Sequence, residues 1–187
     1  MNIYIPEEYD NRTEYQVLKN WHTLLSVDLK YIGQSSKANK LVVIGRVLNN
    51  LDEDEVTKLK EWTFQEGNQL LCLPSWKEID ISNCFNLGVN IKIKKGNPPY
   101  DKWEILKVEY YIKCNLQDGI ISKGNKGYIF SVNYREHQYS GVLTLSTLPL
   151  LDYTLMMEEK LLQKEFNNLL INNEKNIIKK MIKLKMK

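Results

Sequence analysis

KLVVIGRVLNNLDEDEVTKLKEWTFQEGNQLLCLPSW, residues 40–76, reads as strand, helix and strand, and it decides the fold class of this chain. KLVVIGRV opens with an apolar run suited to a strand covered on both faces, and QLLCLPSW returns to the same pattern. The segment between them carries both helix-end signals. Asp52 is the expected N-cap with Glu55 three residues on, and the acidic first turn suits the positive end of the helix. Gly67 is expected to take the left-handed conformation that closes a helix. The stretch is therefore one βαβ unit.

Toward the N-terminus, MNIYIP reads as a first strand that Pro6 ends. Thr13 to Ser26 then places Tyr15, Leu18, Trp21, Leu24 and Leu25 at helical spacing, with Thr13 as the expected N-cap. A short strand is expected at Asp28 to Ile32 and a polar loop at Gly33 to Asn39. Alternating strands and helices of these lengths predict an α/β fold, a mostly parallel sheet flanked by helices.

Beyond Trp76 the pattern changes. Lys77 to Phe85 reads as a short helix or an irregular segment, VNIKIKK as a half-buried strand with its lysines outward, and GNPPY as a loop. Trp103 to Leu148 reads as β throughout, with KGNKG at one turn and Tyr139, Ser140 and Gly141 at another. These strands, GVLTLSTLP included, are expected as antiparallel additions in the C-terminal half. Asp152 should cap a final helix with Leu155, Leu162, Phe166 and Leu169 on one side. Residues 1–173 form a single expected domain, followed by a basic tail, residues 174–187.

A chain of 187 residues suits one core. Its net charge of +3 is unevenly placed, because six lysines against one glutamate from Glu174 onward leave the rest with net −2. Nucleic-acid binding, where it occurs, would have to use the tail. Cys72, Cys84 and Cys114 are odd in number and lack C-x-x-C spacing, which argues against a disulfide framework or a structural zinc site. No apolar run approaches membrane-spanning length and no signal peptide opens the sequence, so the expected location is cytoplasmic. Neither G-x-G-x-x-G nor a phosphate-binding loop occurs, and capping accounts for Asp52 to Glu55, so no cofactor, metal or small-molecule ligand is expected.

The run VVIGRVLNNLDEDEVTKLKEWTFQEGNQLLCLP resembles the class I glutamine amidotransferase-like domains, which are flavodoxin-like. It is closest in pattern to their degenerate, non-catalytic relatives, such as the trimerisation domain of some β-galactosidases. GVLTLSTLPLLDYTLMMEEKLLQKEFNNLLIN is compatible with the late strand and closing helix of that family. In active members the second strand of the unit ends in a sharp turn bearing a cysteine nucleophile, with backbone N–H groups holding the oxyanion. The resemblance places Pro74 there, which supplies neither nucleophile nor N–H.

Three residues remain as weak catalytic candidates. Cys72 lies two residues earlier, inside the strand, and reads as core packing. Ser75 lacks the glycines of a G-x-S-x-G elbow, and His137 reads as a turn histidine; His22 falls in the first helix. The expected function is therefore a pseudoenzyme, a non-enzymatic interaction subunit of a larger intracellular assembly. The alternatives are a cysteine or serine hydrolase with a displaced nucleophile, or a nucleic-acid-binding accessory acting through the tail. A protein partner or a second copy is expected to meet Lys179, Lys180 and Lys183, beside the stripe of Ile178, Met181 and Ile182, together with Tyr134 and Tyr139.

Overall fold

A computed structural model describes residues 2–34, 37–81, 87, 89–97, 101–114, 121–125 and 128–170. The first strand, β1 (Asn2–Pro6), leads through a 3₁₀ turn at Glu7–Tyr9 into helix α1 (Thr13–Lys19). β2 (Thr23–Val27) follows, and then a 3₁₀ turn at Leu29–Gln34. The expected helix to Ser26 thus stops at Lys19, and the second strand lies earlier than Asp28–Ile32. Leu24 and Leu25 fit a helical period only by accident of spacing: they belong to an edge strand with little buried face, so no clear period of two marks it. Arg12, not Thr13, is the N-cap, and its side chain makes no capping bond.

The central βαβ unit forms as read. β3 (Lys40–Ile44) runs into a short α2 (Gly45–Asn50), then α3 (Glu53–Phe64) and β4 (Gln69–Leu73). Asp52 accepts from the Glu55 amide at 2.8 Å and Glu55 accepts from the Asp52 amide at 3.1 Å, a complete capping box. Gly67 does take a positive φ of 86°, but in the turn beyond the helix. Extended Gln65 ends α3, and the Asn68 side chain satisfies the Trp62 carbonyl at 2.7 Å.

The main sheet has 7 strands in the order β2-β1-β3-β4-β9-β8-β7. β2, β1, β3, β4 and β9 (Val142–Ser146) are mutually parallel, whereas β8 (Tyr128–Tyr134) and β7 (Ile121–Asn125) add antiparallel to their neighbours. GVLTLSTLP is therefore a parallel strand. Every residue of β4 and β9 is buried, which explains their continuous apolar runs. The polar residues between β8 and β9 are paired in register: Ser131 with Ser146 at 2.7 Å and Asn133 with Thr144 at 3.0 Å.

β5 (Ile91–Lys95) and β6 (Tyr110–Cys114) form a separate antiparallel pair, not an extension of the main sheet. Asp101–Ile105, read as β, is a helical turn, α4, which buries Trp103 against Phe130 with ring centroids 5.0 Å apart. Asp152 caps a 3₁₀ turn (Tyr153–Glu158) that continues as helical residues 159–170, here α5. Leu155, Leu162, Phe166 and Leu169 are all buried, as their spacing predicts. Among the described residues no helix is long and apolar enough to cross a membrane.

Candidate functional site

In parallel sheets of this order, ligands bind where the strands' carboxyl ends diverge, at the switch point between β1 and β3. β1 and β3 pair only at Tyr4 and Leu41, so the ladder opens above that level. Pro6, lacking an N–H, cannot close it. Tyr15, fully buried on the first turns of α1, fills the opening: its hydroxyl donates to the Val42 carbonyl at 3.1 Å and accepts from the Ile44 amide at 3.3 Å. Burial pushes its phenol pKa far above the ordinary value. A Tyr15→Phe variant leaves both backbone groups buried and unpaired, and is expected to lose about 2 kcal/mol in chemical denaturation.

Beside this plug, the loop after β4 is held by carboxylates. Glu14 accepts from the Trp76 amide at 2.9 Å and from the Arg12 guanidinium at 3.3 Å. Asp80 accepts from the Ser75 amide at 3.1 Å. The Ser75 hydroxyl, itself buried, accepts from the Arg46 amide at 2.7 Å, and the Arg46 side chain pairs with Glu78. A Cβ on Gly45 would lie 1.8 Å from Asp80 Oδ1, so the β3–α2 turn approaches this loop too closely for any side chain there. Lys77 takes a left-handed φ of 61°, and Tyr153 closes over the Trp76 ring at 4.7 Å.

The two carboxylates titrate in opposite directions. Burial pushes the Glu14 pKa up, but bonds from the Trp76 amide and its own amide, with the Arg12 charge, outweigh it and hold the carboxyl below its usual range. Burial of Asp80 wins over its Ser75 hydrogen bonds and raises its pKa. A lowered folded pKa means that Glu14 contributes stability above the unfolded carboxylate pKa and loses it as pH falls through the folded value. Asp80 is the reverse: its ionisation costs stability, and the cost is relieved as pH falls. Glu14→Gln should therefore flatten the acid limb of a Tm-versus-pH series. Asp80→Asn should raise Tm at neutral pH and leave it unchanged in acid.

Glu14 was not among the residues singled out from the sequence, yet a signal existed. Glu14, Val17, Leu18 and Trp21 follow the spacing of one helix face, so a carboxylate occupies an apolar register. Its partner Trp76 lies 62 residues away, a distance no local pattern spans.

The catalytic candidates do not converge. Cys72 is fully buried within β4, Pro74 follows the strand end as expected, and Ser75 is engaged as above. His137 lies in the turn before β9, next to Ser140. That turn sits at the amino ends of the parallel strands, since Gly141 bonds the end of α3 and Val142 opposes Gln69. The full length of β4 separates it from Ser75. His22 lies elsewhere again, 2.9 Å from Asn167 on α5. Iodoacetamide should modify Cys72 only on the timescale of unfolding, read by peptide mass spectrometry; rapid labelling in the folded protein would contradict its burial.

Of the expected contact residues, Tyr134 packs edge-on against Phe64 at 5.6 Å, while Tyr139 is 59% exposed at its turn. Lys179, Lys180 and Lys183, with the rest of the tail, lie outside the described residues. A shallow cleft near the ends of β1 and β2 is rimmed by Glu7, Glu8, Asp28 and Glu55. Glu55 serves the capping box and Asp28 accepts from the Lys30 amide, so local structure already uses two of the four. No grouping of metal-ligating side chains occurs among the described residues.

No family model and no curated protein matches this chain. Among solved structures, the exo-beta-1,4-mannosidase Op5Man5 from Opitutaceae bacterium strain TAV5 is similar, with a TM-score of 0.52 and 15% identity over 90% of this chain. The chain spans only 35% of that protein's length, and at this identity the likeness is one of fold.

Proposed function

We propose that this chain is a non-enzymatic, cytoplasmic protein-interaction subunit of a larger assembly, built on an amidotransferase-like α/β fold without its nucleophile. One observation carries the reading: the carboxyl-end crevice, where such a fold would bind substrate, is occupied by the chain's own Tyr15, Glu14 and Asp80 side chains. Pro74 and the engaged Ser75 hydroxyl add to it, because neither offers an activated nucleophile. Contacts then fall to exposed elements, Tyr139 and the basic tail.

Amide and ester substrates, glutamine included, test the reading together with capture of partners from the native host. Turnover by the full chain should equal that of a Cys72→Ala, Ser75→Ala variant. A partner should co-purify, and replacing Lys179, Lys180 and Lys183 with glutamate should release it. Turnover abolished by either alanine substitution would establish the hydrolase instead. Capture of nucleic acid with steep salt dependence would assign the tail to that partner class.

A further inference from the structure

The two edges of the main sheet differ. β7 breaks register between Lys123 and Gly124, and an irregularity with a lysine is how sheet edges commonly avoid pairing. β2 has neither device. TLLSV holds unbroken parallel register with β1 over five residues and contains no charge, proline or bulge. Thr23, Leu25 and Ser26 are exposed, and Leu24 is half-buried. Among the described residues, no turn, cap or side-chain hydrogen bond reaches Thr23–Val27 apart from the ladder to β1. In a parallel ladder alternate residues turn their N–H and C=O away from the partner, so this edge presents open donors and acceptors.

We propose that β2 is a self-association edge, at which a second copy of this chain adds its own β2 antiparallel and extends the sheet across a two-fold axis at Leu25. The occupant follows from the self-complementarity of the strand. Residues opposite one another in a continuous sheet point to the same face, so the axis of two identical antiparallel strands must pass through a residue that faces its own copy. Only Leu25 as that residue brings all five into register, with Thr23 opposite Val27 and Leu24 opposite Ser26. Centring on Leu24 or Ser26 discards pairs. The same register sets His22 against Asp28 at both ends, an imidazole facing a carboxylate, while the centre joins leucine to leucine. Neither face of the strand is fully covered at its centre, where Leu25 is 36% exposed. The inference goes beyond the proposed function, since a hydrolase with this edge would pair in the same way.

Sedimentation equilibrium of the full chain should give a dimer mass. Leu25→Cys should then cross-link into a covalent dimer under mild oxidation, because opposed side chains in an antiparallel pair have Cβ atoms about 5 Å apart. Tyr139→Cys, exposed on the far side of β4, should not, and the parent chain reports any background from native thiols. Leu25→Lys places two like charges in opposition and should give monomer where the parent is dimeric, with an unchanged circular dichroism spectrum. A parent chain that is monomeric at every concentration overturns the inference. So does a dimer that survives Leu25→Lys and fails to cross-link through Leu25→Cys.

Discussion

Phe166→Ala is expected to cost about 4 kcal/mol, the range for a fully buried aromatic deleted from a packed core, and to lower Tm by about 8–16 °C at this chain length. Phe166 is completely buried on α5, with ring centroids 6.0 Å from Trp21 and 5.5 Å from His22. It is the apolar centre of a clasp between α5 and the segment that joins α1 to β2. Around it, the Trp21 indole donates to Glu159 at 2.9 Å and His22 bonds Asn167 at 2.9 Å. Burial holds the His22 pKa below its ordinary value, partly opposed by the Asn167 hydrogen bond. Loosening the clasp should move that pKa back toward normal, so His22 titration by NMR gives a second readout. Phe166→Leu should lose far less stability and leave the titration near that of the parent. A cost under about 1 kcal/mol for the alanine variant would mean that α5 is not part of the folding unit.

How legible each part of the fold was depended on how local its causes are. The β3–α3–β4 unit could be read because its strands are buried on both faces and its helix carries its own cap, Asp52 with Glu55. The edge strand β2 could not: only Val27 is buried in it, and its leucines happen to continue the helical spacing of Tyr15 and Leu18. The segment WEILKVEYYIKC misled for another reason. It holds two short elements, α4 and β6, separated by Lys107 in a left-handed conformation that its side chain does not announce.

The candidate site divides in the same way. Pro74 was legible as a missing nucleophile, since it depends on one position. What fills the crevice was not, because Tyr15, Glu14 and Asp80 reach it from three segments, and hydrogen bonds from Tyr15 to β3 and from Glu14 to the β4 loop span 27 and 62 residues. Arg12 Nε, Glu14 Oε2, Trp76 Nε1 and Asp80 Oδ2 nevertheless lack partners. Groups left so in a buried site are tolerated where ordered water or functional strain accounts for them. The Tm series for Glu14→Gln and Asp80→Asn therefore measures how much stability this closure holds.

Gly141→Ala is the second large effect expected, a loss of about 3 kcal/mol from overpacking. A Cβ there would lie 1.9 Å from the Thr63 carbonyl oxygen, 2.6 Å from that of Gln65 and 2.8 Å from that of Asn68. All three are backbone atoms, so no rotamer change relieves the contact. The approach is close because the last carbonyls of a helix have no partner within it, and this chain satisfies some of them with the start of β9. The Gly141 amide donates to Phe64 at 3.1 Å and the Val142 amide to Asn68 at 2.9 Å. Alanine must push β9 away from α3, and the first pairs of the β4–β9 ladder, Gln69 with Val142 and Leu70 with Leu143, loosen with it. Hydrogen exchange should then rise first at Val142 and Leu143 while the β1–β2 pair stays protected, which separates this cause from global destabilisation. A variant within about 0.5 kcal/mol of the parent would show that α3 and β9 are not held this close in solution.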